Sequence, residues 1–473
     1  MIITNHALRR SLRYEITARL KAHEYTISKL SELANINNPT LSIFLKGVNA
    51  RTIRIEQLDA IAIAFNESPG WLYETYLEEC FSRGRVYKRR VCPFLIRCVE
   101  IGRYDCIYEV VSRLLDMRNN IDVLFDVAEQ LFQKSKQKES IYFYKLVIET
   151  EKNQWSESFI MSQYRLFRAS LGTNVEENWN AIIRFEAYQK RLPENHQLDA
   201  LLHLAHECFK LRKWKEVEDF ADELRKMATL IHQDELGKRK RARNDEPLKT
   251  ERHLVVYYGQ GYLLKAASLE KQKLYGEARK FVSDYLNLSW IDPLNKSVQA
   301  EVHKYKISAT ANLYRLNLLI GDICVLDDYI TFLKLHPSEL VPGLVTIMKA
   351  ANKHDFLIDD LLKRFSEEIR SFDDSHDPIN VNQHLRFRYY LATYHFQNER
   401  FESGIKDTLR CLDLSIVMNN QKKFIQCVIL FEAHRYHAKD QQIKWFKKIM
   451  EEVKNDKSLF AFEGHCLGLI TLD

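Results

Sequence analysis

Most of the chain repeats one two-helix pattern, and this pattern limits the possible fold more than any other feature. A small residue stands within one predicted helix, and a second small or slim residue follows twelve positions later in the next. Small residues allow two antiparallel helices to approach closely, and bulky neighbours fill the space to the next pair. The pairs are Ala128 and Ser140, Ala205 and Val217, Ala266 and Ala278, and Ala392 and Gly404.

At least four helical hairpins follow from this pattern. Helical periodicity predicts further hairpins around residues 155–190, 300–335, 340–370 and 424–455. Composition agrees, because glycine and proline, which interrupt helices, number only 14 and 9 in 473 residues. We therefore predict an all-α protein.

The hairpins resemble degenerate tetratricopeptide repeats. Ala205, Ala266 and Ala392 take the place of the family's glycine in the first helix, and Ala278 fits the first alanine of the second helix. Most other consensus positions differ, and the usual closing prolines are missing. The resemblance implies a right-handed superhelix of helical hairpins, which we expect over residues 83–473 as a sensor and dimerisation domain.

The first 82 residues have a different organisation. A first helix is predicted over 7–23, and Thr26 is a suitable N-cap for a short second helix. Leu30, Leu33 and Ala34 are expected to face inward from that helix. Two further amphipathic helices are predicted over 55–65 and 69–81.

A tight turn and a third helix lie between these segments. Asparagine tolerates the left-handed conformation expected at Asn35, and Ile36 is expected to fill the turn. Either Asn37 or Asn38 is predicted to cap the third helix, which begins with Pro39 near its first turn. Three side chains are expected to pack inward before Gly47 ends the helix: Leu41, Phe44 and Leu45.

This layout resembles the helix-turn-helix of the Xre and lambda-repressor-like family over roughly residues 10–75. The stretch carries Leu30-Ser31, Asn35, Thr40-Leu41-Ser42 and Lys46-Gly47 at the family's positions. Ser31 replaces the usual alanine, and Asn35 replaces the usual glycine. The resemblance implies a DNA-binding domain with a linker helix over residues 1–82.

Charge supports that assignment. Residues 1–103 hold 16 Lys and Arg against 10 Asp and Glu, so their excess of +6 equals that of the whole chain. A basic segment ahead of a neutral body is typical of a nucleic-acid-binding domain with an attached sensor or scaffold. The predicted phosphate contacts are Arg9, Arg10, Arg13, Lys46, Arg51 and Arg54.

The outward side chains at the start of the third helix are the predicted contacts to base edges in the major groove. They are Asn37, Asn38, Thr40, Ser42 and Ile43. The alternative is that Asn37 and Asn38 only cap the helix and that Ile43 only packs.

Nothing in the sequence predicts catalysis. P-loop, GxGxxG, HExxH and GxSxG motifs are missing, and we expect no enzyme activity, cofactor or metal. The pairs His203/His206 and His434/His437 are more typical of helix surfaces than of metal sites. Nine scattered cysteines and the lack of a secretory or membrane-spanning segment predict a cytoplasmic protein with reduced core cysteines.

The combination of helix-turn-helix and tetratricopeptide-like hairpins resembles the Gram-positive peptide-pheromone receptors, and the AimR-type arbitrium receptors of phages most. That resemblance implies a homodimer that reads a DNA operator and binds a short signalling peptide, in quorum sensing or lysis–lysogeny control. The residues assigned to the peptide are Asn312, Asn317, Arg386, Tyr389 and Tyr390. For the two tyrosines, packing between repeats is the alternative.

Two other functions stay open. The helical region would serve as a scaffold that recruits a protein partner without a peptide, or the N-terminal domain would bind RNA or protein. The basic run at 238–243 is predicted to be a solvated helix end or loop, with a nucleic-acid patch or nuclear signal as alternatives.

Overall fold

A computed structural model describes residues 11–47, 53–82, 85–117, 120–240, 248–291, 295–371 and 378–455. Within these ranges the chain is helical apart from short turns and one pair of two-residue strands. The prediction of an all-α protein, with a helix-turn-helix followed by helical hairpins, is confirmed. The strand pair was not predicted.

Five short helices form the N-terminal part of the chain. Local signals set their ends, because Thr26 accepts a hydrogen bond from the Lys29 amide at 3.1 Å and Gly47 adopts the left-handed conformation with φ of +70°. The first helix begins later than the predicted residue 7, since Ser11 is its extended N-cap. The helices are α1 Leu12–Ala22, α2 Ile27–Leu33, α3 Asn38–Lys46, α4 Ile55–Ala64 and α5 Tyr73–Cys80.

The chain then forms an antiparallel strand pair, in which Phe81 is opposite Val86, and a series of helices. These elements are β1 Phe81–Ser82, β2 Arg85–Val86, α6 Lys88–Ile101, α7 Tyr104–Leu115, α8 Ile121–Gln133, α9 Gln137–Thr150, α10 Glu157–Ser170, α11 Val175–Glu186 and α12 Glu194–Lys210.

The remaining helices continue the series. They are α13 Trp214–Lys240, α14 Leu254–Lys271, α15 Tyr275–Asp284, α16 Lys296–Ile320, α17 Leu326–Leu335, α18 Leu340–His354, α19 Asp359–Arg364, α20 Ser366–Ser371, α21 Pro378–Gln397, α22 Phe401–Val417, α23 Gln421–Ala433 and α24 Asp440–Asn455. The basic run at 238–243 begins on the last turn of α13, and its part after Lys240 lies outside the described residues.

The chain divides into two units. Unit 1 comprises residues 1–213 and 245–251, and unit 2 comprises residues 214–244 and 252–473. In unit 1 a single cluster of buried side chains extends from Leu12 to Leu166, so α1–α5 and the first hairpins share a core. The proposed domain boundary between residues 82 and 83 stays a prediction.

The small residues of the hairpin pattern are buried as the packing argument requires. Ala128, Ser140, Ala278 and Ala392 are all inaccessible to solvent. At Gly404 a Cβ atom would lie 2.6 Å from the ring of Phe396, so this site has room for glycine alone. The further predicted hairpins correspond to α10 and α11, α16 and α17, α18 and α19, and α23 and α24.

None of the eight described cysteines forms a disulfide, and seven of them are buried. Cys324 is exposed, so the prediction of a core position is wrong for that residue. Cys466 lies outside the described residues. Among the helices that the structure describes, none has the length and apolar character needed to cross a membrane.

Candidate nucleic-acid interface

The turn between α2 and α3 is closed by residues at which the sequence departs from the family pattern. Asn35 adopts a left-handed conformation with φ of +49°, as predicted. The Ser31 hydroxyl donates a hydrogen bond to the carbonyl of Ile36, which is itself buried. Serine therefore adds a hydrogen bond across the turn, and asparagine supplies the conformation that glycine usually provides.

The inner side of the two helices is an apolar contact surface. Leu30 and Leu41 are fully buried, and Phe44 is 1% exposed, which confirms three of the inward assignments. Leu45 is partly buried against the same core. Leu33 is 46% exposed among the described residues, so its inward assignment is wrong.

The opposite side of α3 faces solvent at its start. Asn37, Asn38 and Pro39 are exposed, and Ser42 and Ile43 are half-buried. Residues four apart lie on one side of a helix, so Asn38 and Ser42 form one row that continues to Lys46. Thr40 is half-buried and is two positions from both Asn38 and Ser42, so it lies outside this row.

The two asparagines at the start of α3 differ in their hydrogen bonds. Asn37 occupies the N-cap position, but its side chain caps no backbone amide. The Asn38 amide instead donates to the hydroxyl of Ser28 on α2, with 3.0 Å between the atoms. Asn37 is therefore the N-cap residue, as predicted, although its side chain makes no capping hydrogen bond. The contribution of Ser28 was not predicted.

The structure describes three of the six predicted phosphate contacts. Arg9, Arg10 and Arg51 lie outside the described residues. Lys46 and Arg54 are exposed. Arg13 is half-buried and donates from Nε to the main-chain carbonyl of Phe44 at 2.8 Å.

Arg13 therefore has a structural contact at the C-terminal end of α3. Its guanidinium also lies over the Phe44 ring, 5.1 Å from the ring centre. A cation that satisfies a carbonyl in the last turn of a helix stabilises that end of the helix. This contact fixes α1 against α3.

A buried polar cluster holds the helix-turn-helix against the helices that follow. Asp59 on α4 is 8% exposed and accepts hydrogen bonds from the hydroxyl of Tyr73, at 2.8 Å, and from Nε of Arg97 on α6, at 2.7 Å. Burial and the Asp59 carboxylate raise the pKa of Tyr73 well above its ordinary value. No local pattern could predict this cluster, because its members are up to 38 positions apart in the chain.

These features define the N-terminal part as a helix-turn-helix DNA-binding domain. Comparison with known families agrees, since residues 15–77 match the Cro/C1-type HTH DNA-binding domain. The protein is a DNA-binding transcription regulator on this basis, and the resemblance to Xre-type domains is confirmed. None of the curated proteins compared with the chain matches it.

The residues assigned to a peptide all lie in unit 2, and the structure brings four of them close to shared neighbours. Asn312 donates to the Tyr285 hydroxyl at 2.8 Å and accepts from Arg315 at 2.9 Å. The positive charges of Arg315 and Arg386 both lower the pKa of two lysines, Lys271 and Lys349.

The two tyrosines of this set share a neighbouring cation. Lys423 lies over both rings, 3.7 Å from the centre of Tyr389 and 5.7 Å from that of Tyr390. Asn317 has a different contact, because its side-chain oxygen accepts from Arg279 on α15 at 3.2 Å. The assignment of these five residues to a peptide stays a prediction.

Proposed function

We propose that this protein is a cytoplasmic, sequence-specific transcription regulator whose helical hairpins bind a short signalling peptide and thereby change its affinity for DNA. The main support is the row of Asn38, Ser42 and Lys46, in which the first and last are exposed and the middle one is half-buried. The opposite side of this helix buries Leu41 and Phe44. Such a row fits the major groove, where amide and hydroxyl groups contact base edges and a lysine contacts phosphate.

The proposed set of base contacts also includes Asn37, Thr40 and Ile43. The proposed set of phosphate contacts includes Arg13, Lys46 and Arg54. Arg9, Arg10 and Arg51 belong to the second set by sequence. In Cro/C1-type domains each copy reads one half of an operator, so we propose a homodimer with two recognition helices one DNA turn apart, about 34 Å.

The peptide part of the proposal is supported by the resemblance to the peptide-pheromone receptors and by the polar side chains that α16 and α21 present. Repeat superhelices bind extended peptides along the helices that line their inner surface. Binding would change DNA affinity by a coupling free energy of about 1–3 kcal/mol.

The test has two stages. Selection of random duplexes by the full chain identifies an operator, and Asn38→Ala with Ser42→Ala should then weaken operator binding by about 1–3 kcal/mol per lost base contact. Non-specific DNA binding should stay unchanged, because phosphate contacts dominate it. If the double variant keeps both the specificity and the affinity of the wild type, the assigned recognition surface is overturned.

The second stage measures operator binding with and without short peptides. A peptide that changes operator affinity supports sensing. Operator binding that no peptide alters, together with capture of a defined protein partner by the helical region, would favour the scaffold function instead.

A further inference from the structure

Five helices of unit 2 bring positive side chains together with almost no compensating acid. The cations are Lys271 on α14, Arg315 on α16, Lys349 on α18, Arg386 on α21 and Lys423 on α23. We call this set the basic cluster. It is unrelated to the basic N-terminal domain, and its members are up to 152 positions apart in a chain whose body carries no net charge excess.

The cations lie close enough to influence one another. Desolvation by neighbouring atoms lowers the pKa of half-buried Lys349 and of Lys271, whose side chain still reaches solvent. In both cases the charges of Arg386 and Arg315 lower the pKa further. Burial also lowers the pKa of Lys423, and Arg386 again contributes. Direct contacts agree, because Arg315 pairs with Glu270 on α14 at 3.3 Å and donates to Thr346 on α18 at 3.3 Å. Lys423 lies over the ring of Tyr390, which is one helical turn from Arg386.

Only one carboxylate raises the pKa of Lys271 and Lys349, that of Glu270. Glu270 is already paired with Arg315 at 3.3 Å. Within the part of the chain that the structure describes, no carboxylate lies within ion-pair distance of Lys271, Lys349, Arg386 or Lys423. Like charges held together without counterions destabilise a fold, so an arrangement of this kind fits a site for a negatively charged ligand.

Aromatic rings hold the lysines in position. Tyr275, which is 8% exposed, accepts at its hydroxyl from Lys349 at 3.5 Å, and the ammonium of Lys353 lies 4.9 Å from its ring centre. Lys423 is fixed over Tyr389. Cations that are oriented in advance lose less freedom on binding, which favours affinity.

The cluster is open to a ligand and offers more than charge. Lys271 is solvent-exposed, and Lys349, Arg386 and Lys423 are half-buried. The Arg386 guanidinium donates to Gln383 through one nitrogen, at 3.0 Å, and its other N–H groups are available for the paired hydrogen bonds that suit a carboxylate. The Asn352 amide donates to the main-chain carbonyl of Tyr390 at 2.8 Å, which joins α18 to α21 beside the cluster.

We propose that the basic cluster binds the carboxylates of an acidic peptide, so that the effector of this regulator carries at least two negative charges. This inference rests on the proposed peptide-sensing function and specifies the chemistry of its ligand. Three of the residues assigned from sequence belong to the cluster or its ring contacts, namely Arg386, Tyr389 and Tyr390, whereas its lysines had no sequence signal.

The test uses three synthetic octapeptide pools that differ only at two fixed positions, which carry Asp or Glu, Asn or Gln, or Lys or Arg. The full chain should bind the acidic pool at least tenfold more tightly than the Asn/Gln pool, and added salt should reduce the difference. The double variant Lys271→Gln with Lys349→Gln should lose at least tenfold in affinity for the acidic pool. A matched control, Lys280→Gln with Lys406→Gln, changes two exposed lysines of unit 2 outside the cluster and should bind like the wild type.

Two further measurements guard against a folding defect. Without peptide, the Lys271→Gln/Lys349→Gln variant should melt at a higher temperature than the wild type, because like-charge repulsion is removed. The charge-preserving variant Lys271→Arg with Lys349→Arg should retain preference for the acidic pool.

The outcomes separate the inference from the function on which it rests. If the Asn/Gln pool binds and alters operator affinity while the acidic pool binds no better, the inference is overturned and peptide sensing stands. If the glutamine variant binds the acidic pool as well as the wild type, the peptide binds elsewhere and the inference is overturned. If no pool binds while the operator does, the peptide part of the proposed function fails as well.

Discussion

The side-chain amide of Asn38 donates a hydrogen bond to the hydroxyl of Ser28, with 3.0 Å between Nδ2 and Oγ. Both residues are exposed, and the bond joins the first turn of α3 to the first turn of α2. It restrains the Asn38 side chain at the place where a recognition helix meets base edges. The same amide is the group that would pair with adenine in the proposed complex.

Two variants can separate the proposed base contact of Asn38 from its hydrogen bond to Ser28. Asn38→Ala removes both the proposed base contact and the bond to Ser28, and should weaken operator binding by about 1–3 kcal/mol. Ser28→Ala removes only the restraint, and should cost about 0.5–1.5 kcal/mol at most. Fluorescence anisotropy with operator and with scrambled duplex measures both. Equal losses in the two variants would mean that Asn38 contributes through the turn alone.

Local signals explain what could be predicted of the fold. Thr26, Asn35 and Gly47 set the ends of α2 and α3 through their own backbone preferences, and Ala128, Ala278 and Ala392 are buried because only small residues fit between close helices. These preferences depend on neighbours in the sequence. They therefore predict the order of the helices and the position of the recognition helix.

Contacts between distant residues explain the rest. Leu33 has the right spacing from Leu30 to face inward, but it is exposed among the described residues. Asp59 meets Arg97, and Lys423 meets Tyr389, only after the helices have packed. Side chains that meet in this way leave no periodic pattern, so the polar cluster behind the recognition helix and the basic cluster of unit 2 required the structure.

The Asp59 cluster should stabilise the helix-turn-helix. Asp59→Ala leaves the Tyr73 hydroxyl and the Arg97 guanidinium without their shared acceptor, which should cost about 3 kcal/mol. Tyr73→Phe removes one hydrogen bond and leaves the ion pair, so it should cost about 1 kcal/mol. Hydrogen exchange measured by mass spectrometry should show faster exchange in α4 and α5 for the alanine variant. Unchanged exchange in both segments would show that the apolar core alone holds these helices.

Gly404 should be required by the close contact of α21 and α22. Gly404→Ala places a Cβ atom 2.6 Å from the buried ring of Phe396, and the resulting strain of about 1–3 kcal/mol exceeds the helix-propensity gain of about 1 kcal/mol. The matched control is Gly276→Ala on α15, where no atom lies within 4 Å of the added Cβ. That variant should be stabilised by about 0.5–1 kcal/mol. Thermal denaturation should therefore shift in opposite directions, and a shift in the same direction would contradict the packing argument.

Acid should destabilise the hairpin of α21 and α22 through His395. Burial lowers the pKa of His395 and the nearby Arg400 lowers it further, whereas Asp407, 3.5 Å from Nε2, and Asp359 act in the opposite direction. Asp407 is itself paired with Arg388 at 3.1 Å, and Arg388 also contacts His384. Because the folded state disfavours the imidazolium, the unfolded chain binds the proton more readily.

The stability that neutral His395 provides is therefore complete above its ordinary pKa of about 6.5 and is lost as the pH falls below that value. His395→Asn removes this titration, so the wild type should lose more free energy of unfolding than the variant between pH 7.5 and pH 5.5. His196 and His434, whose pKa values burial also lowers, are present in both proteins and cancel in the comparison. Denaturant titrations at the two pH values measure the difference. Parallel losses in the two proteins would mean that Asp407 compensates the imidazolium in the folded state and that His395 is not a source of acid sensitivity.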